Sequence, residues 1–208
     1  MAGLTPAQVQ AVLSLPAASI EKLAALTPAQ FTNVAALPPA ALANVTSLPP
    51  ASLTVMADLP PNQLAATSTL PVAQLEVVTQ LPVAERTAIV SAVTTVKAEA
   101  LAGNVANVAA AITTLNTATS VLGAGKAAFA VSVAQDLQAV TADVAPTSTV
   151  RGVAAATITG LTQVAIRAGA TEEQITTLAQ AATTTQAQAT AVSIGAIDLD
   201  DQGSGTNA

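Results

Sequence analysis

The chain has 208 residues, 51% of them hydrophobic and only 9% charged, with a net charge of -6, two Phe and no His, Cys, Trp or Tyr. Ordinary domains carry about 25% charged residues, and a chain this poor in Lys, Arg and aromatic rings lacks what nucleic-acid binding requires. It also has no disulfide framework, and any acid, base or metal chemistry would have to rest on a few scattered carboxylates.

From Leu4 onward one eleven-residue phrase starts eight times without insertion, at Leu4, Leu15, Leu26, Leu37, Leu48, Leu59, Leu70 and Leu81. Five positions after each Leu stands an apolar residue: Val9, Ile20, Phe31, Leu42, Leu53, Leu64 and Leu75, with Arg86 the exception. Eight positions after it stand Val12, Leu23, Val34, Val45, Met56, Thr67, Val78 and Ile89. A fixed period of this kind signals an array of like units.

An unbroken helix with an eleven-residue repeat would supercoil to the right. Proline excludes it: eleven of the twelve prolines fall in this half, at least one in each unit, and an interior helical Pro costs about 3 kcal/mol. The helix must stop and restart in every unit. Thr5-Pro6-Ala7-Gln8 and Thr27-Pro28-Ala29-Gln30 read as capping boxes with Pro at the first helical position. The preceding Leu and the residue five positions on then have the spacing of a hydrophobic staple. One unit buries about three large side chains, worth about 1.5–3 kcal/mol each, against an ordering cost of about 1–2 kcal/mol per residue. Only stacking makes such units fold. The expected architecture over 1–91 is a short-helix solenoid with an uncovered face at both ends.

After Ser91 only Pro146 remains of the prolines, and a second region is expected over 92–195, a bundle of about four Ala/Thr-rich helices. Leu101, Val105, Val108, Ile112, Leu115 and Leu122 form a stripe with steps of three and four, closed by Gly123 and Gly125. A helix over 126–144 should turn Phe129, Val133, Leu137 and Val140 inward. The next, over 150–168, repeats small residues at Gly152, Ala156 and Gly160, a candidate seam for close helix approach. Thr171-Glu172-Glu173-Gln174 caps a last helix through about Ser193, and 196–208 reads as a mobile acidic tail. The class is all-α.

Chemical motifs are weak. Gly123-Ala124-Gly125-Lys126 has the end of a phosphate loop, but Ser120 replaces its first Gly and Ala127 its hydroxyl. Asp198, Asp200 and Gly203 open like a calcium loop that the chain does not complete. No catalytic, cofactor or metal site is expected. Met1-Ala2-Gly3-Leu4 lacks a basic leader region, and Thr, Gln, Asn or Arg interrupts each apolar run before the length of a membrane span. The expectation is a cytoplasmic protein without a transmembrane segment.

Val121-Leu122-Gly123, the Ala-rich stretch to Gln135, Ala179-Gln180-Ala181-Ala182-Thr183-Thr184, Ser193-Ile194 and Ile197-Asp198 together resemble the motif order of the Reb (killing-trait) proteins that build R-bodies. The resemblance covers about 112–198 and implies a helical subunit of a self-assembling ribbon that changes shape with acidity. In a chain without His, Glu172 with Glu173, or Asp198 with Asp200 and Asp201, would carry that response. The expected function is a non-enzymatic structural protein that polymerises with itself into a filament, ribbon or sheath. Two alternatives stand beside it: an adaptor whose solenoid binds another protein, and a coat on a membrane or storage granule.

Overall fold

The computed structural model describes residues 5–143 and 147–193. Leu4, Pro146 and the acidic tail lie outside them. The described chain is helical throughout, with no strand, and divides into two compact units, 1–90 and 91–208.

In the first unit seven short helices follow one another: α1 (Pro6–Leu13), α2 (Ala17–Ala24), α3 (Pro28–Ala35), α4 (Pro39–Ser47), α5 (Pro50–Ala57), α6 (Pro61–Thr67) and α7 (Val72–Val78). Two start as the capping boxes do, with Thr5 and Thr27 hydroxyls accepting from Gln8 and Gln30 amides and the Gln side chains accepting from the Thr amides. The others start differently. Pro16, Pro38, Pro49, Pro60 and Pro71 occupy the cap position themselves, near φ -55 and ψ 150 in Pro49, with no side-chain cap. A ring-locked φ suits this entry, and Leu48, before Pro49, is extended at φ -60 and ψ 155 for the same steric reason. The exit is equally regular: the Leu37, Leu48, Leu59 and Leu70 amides donate to the carbonyls of Val34, Val45, Met56 and Thr67 at 3.0–3.2 Å.

The eighth unit does not stop. Ala92-Val93 stand where Leu-Pro would fall, so α8 runs from Val83 to Leu101. It ends in a Schellman turn, with Gly103 at φ 70 and the Gly103 and Asn104 amides donating to Ala100 and Glu99.

The second unit continues with α9 (Val105–Ala118), a 3-10 turn over Thr119–Gly125, α10 (Lys126–Asp143), α11 (Ser148–Arg167) and α12 (Glu172–Ser193). Helix α11 packs along both α10 and α12, and α9 also meets α11. Phe129, Val133, Leu137, Ile158, Leu161 and Leu178 are buried there. Val105, expected on the inward stripe of α9, is 66% exposed, because α9 starts at that residue and buries Val108, Ala111 and Leu115 instead. Threonine fills core positions as a Val-shaped residue: the buried Thr141, Thr157, Thr162 and Thr185 hydroxyls each donate to the carbonyl four residues back at 2.6–2.9 Å.

Candidate functional site

In the short-helix unit, helices meet partners up to three places along as well as adjacent ones: α1 meets α3 and α4, α2 meets α4, α3 meets α4, α5 and α6, and α4 meets α5 and α7. Burial then separates two kinds of repeat position. The residue eight after each Leu is buried from the first unit to the last, from Val12 through Leu23, Val34 and Met56 to Val78 and Ile89. The residue five after it is buried only from the fourth unit on, at Leu42, Leu53, Leu64 and Leu75. Phe31 is half-buried and Ile20 is 36% exposed.

The first position is buried only in the middle units. Leu37, Leu48, Leu59 and Leu70 are buried, whereas Leu15, Leu26 and Leu81 are half-buried. In the first three units Val9, Leu15, Leu26 and Phe31 are half-buried and Ile20 is exposed. Apolar side chains are incompletely covered in the last unit too, where Leu81 is half-buried and Val83 is 54% exposed, while the eighth-position side chains stay buried through Ile89.

Polar side chains tie units two apart at helix ends. Lys22 Nζ on α2 donates to the carbonyls of Thr46, Ser47 and Leu48 at 3.1, 3.4 and 2.8 Å, placing a cation on the negative end of α4. Gln30 Nε2 on α3 donates to Asp58, the residue that closes α5, at 2.6 Å. Arg86 breaks the apolar pattern for a similar purpose. It is 5% exposed, with Nε on the Val78 carbonyl at 3.1 Å and Nη2 on the Leu81 carbonyl at 2.9 Å. Burial pushes its pKa below the usual value. The sequence marks Arg86 as an exception, but only the fold reveals the end of α7 that it serves.

The three residues of the expected seam part company. A Cβ on Gly160 would come within 2.6 Å of Ile112 Cδ1 on α9, so this glycine does admit a helix closely. Around Gly152 a Cβ would meet nothing within 4 Å. Ala156 is exposed and joins Ala155, Thr159, Ala182 and Gln186 in an open groove of about 520 Å³ between α11 and α12.

No group of three carboxylates that could hold a metal occurs among the described residues. Glu172 and Glu173 are exposed beside the Thr171–Gln174 capping box, and Asp198, Asp200 and Asp201 lie outside the described residues. The Gly123–Lys126 segment lies on a 3-10 turn leading into α10, with no strand before it, and Lys126 Nζ is engaged by the Asn116 carbonyl at 2.7 Å.

One helical stretch, Val105–Ala142, is long and apolar enough to cross a membrane, with a mean hydropathy of 1.3 and 22% of its most apolar window buried. Its apolar runs are interrupted by Asn107, Asn116, Lys126, Gln135 and Asp136, so its hydropathy is an average over many Ala and Val and not one unbroken run. Gly123, at φ 52 and ψ -123, breaks its helical path. No family model, curated protein or solved structure matches the chain.

Proposed function

We propose that this chain is a non-enzymatic structural protein that assembles with copies of itself into a homopolymer in the cytoplasm, its 1–91 region acting as a solenoid of eight short-helix repeats and the region over 92–195 as a helical assembly bundle. The observation that carries this reading is the apolar face left open at the first three repeats. Side chains that the interior units bury are there presented to solvent, in a chain with only 9% charged residues to keep copies apart. The Reb resemblance agrees with a ribbon, and assembly is expected without a cofactor.

Negative-stain microscopy and pelleting of the purified chain at neutral and acidic pH test the reading. Filaments or ribbons in the pellet support it, and a change of form with acidity supports the R-body likeness. Particles that remain dispersed at every pH and salt concentration overturn it.

The coat reading also has an observation in its favour, the exposed apolar surface of Val105–Ala142 with Val105 at 66% and Val121 at 46%. An interfacial helix needs an apolar face turned outward. Flotation with lipid vesicles or storage granules, without filaments, would move the assignment there.

A further inference from the structure

Helix α9 is set between two glycine joints. Gly103 stands at φ 70 and Gly123 at φ 52 with ψ -123, backbone angles that residues with a side chain rarely adopt. A Cβ on Gly123 would meet nothing within 4 Å, so the backbone, and not crowding, calls for glycine there. Between the joints α9 buries Val108, Ala111 and Leu115, while Val105 is 66% exposed. Its hold on α11 is short: the two helices meet far less extensively than α10 with α11 or α11 with α12. The tight point of that hold is Ile112, whose Cδ1 lies 2.6 Å from where a Cβ on Gly160 would stand. At the C-terminal end of α9, Lys126 Nζ donates to the Asn116 carbonyl at 2.7 Å and sets a cation on the negative end of the helix.

We infer that α9 is a strap, which opens from α11 as a unit of its own between Gly103 and Gly123 while α10 and α11 stay packed. An Ala-rich helix of 14 residues is marginal in water without its packing, so release from α11 also melts it. Melting supplies the slack. The 14 residues span about 21 Å as a helix and about 46 Å extended, so both joints keep their places while the strap lifts. What remains has a core of its own, since α10 and α11 run along each other with Phe129, Val133, Leu137, Ile158 and Leu161 buried. Opening bares Gly160 and joins it to Ala156, one turn earlier on α11 and already exposed. The strap thus decides whether that stretch of α11 is closed or open to solvent, and it works in a single chain, whether or not copies assemble.

Hydrogen-deuterium exchange of the full-length protein at neutral pH, read peptide by peptide, tests the strap. Amides over 109–118 should exchange at least about tenfold faster than those over 130–141 on α10 and 153–165 on α11. Ile112→Ala removes the side chain that closes on Gly160, and Lys126→Met removes the cation while keeping the aliphatic stem. Each should speed exchange over 109–118 at least about threefold and leave the other two regions unchanged. Equal exchange over all three regions in the parent overturns the strap. So does a variant that leaves 109–118 unchanged, or one that speeds all three regions alike, because α9 would then belong to one cooperative bundle. The parent profile decides by itself if a variant does not fold.

Discussion

Arg86 sits where every earlier repeat has an apolar residue, and its replacement measures what a buried guanidinium does in this fold. Arg86→Ala removes two charge-assisted hydrogen bonds, to the Val78 and Leu81 carbonyls at 3.1 and 2.9 Å, each worth about 1.5–3 kcal/mol. The Val78 carbonyl keeps a second donor, the Leu81 amide at 3.2 Å, which holds the loss toward the lower figure. The guanidinium also carries a desolvation cost, visible in its lowered pKa, and that cost disappears with it. The expected net loss is about 2–4 kcal/mol once the vacated space is included, equivalent to about 5–10 °C in melting temperature for a chain of this size. Arg86→Leu loses the same bonds but restores the repeat residue and recovers about 1.5–3 kcal/mol of burial. It should fall within about 1 kcal/mol of the parent. Urea and thermal unfolding followed by far-UV circular dichroism decide the matter. Equal losses for the two variants, or no loss for Arg86→Ala, would refute the idea that Arg86 is a helix-end cap seated in an apolar site.

Further substitutions probe the packing. Leu42→Asp with Leu53→Asp buries two unpaired carboxylates at sites exposed by 0% and 1% and should unfold the short-helix unit, read as lost helical signal and gained protease sensitivity. Gly160→Ala trades about 1 kcal/mol of helix propensity against its clash with Ile112 at 2.6 Å, so it should be near neutral alone and stabilising in an Ile112→Val background, whereas Gly152→Ala, with nothing within 4 Å, should stabilise without help; thermal melts of the four variants measure that coupling. Lys22→Met keeps the aliphatic stem but strips three carbonyls of their cation and should cost about 1–2 kcal/mol in urea denaturation, with no effect if the lysine is merely a solvated side chain.

Much of the fold was legible in the chain because its signals are local. A Pro in every unit and a Leu before it are steric instructions, and they placed the breaks between α1 and α7 without any knowledge of what packs on what. The same holds for α10, α11 and α12, whose ends fall within a few residues of the Gly, Pro and capping signals around them. The candidate seam was legible only in part, since a Cβ on Gly160 would meet Ile112, one on Gly152 would meet nothing within 4 Å, and Ala156 is exposed in the groove against α12. Four-residue spacing defines a face but does not say which stretch of it another helix will cross.

By itself, then, the sequence determined the helical class, the period of the first unit and the positions that could enter a core, all of which follow from short-range sterics and the spacing of apolar side chains. Tertiary structure alone decided which of those positions are covered. Leu42 and Ile20 are equivalent in the repeat, yet one is 0% and the other 36% exposed, because burial depends on helices two and three units away. For the same reason Arg86 became a cap and Val105 stayed in solvent.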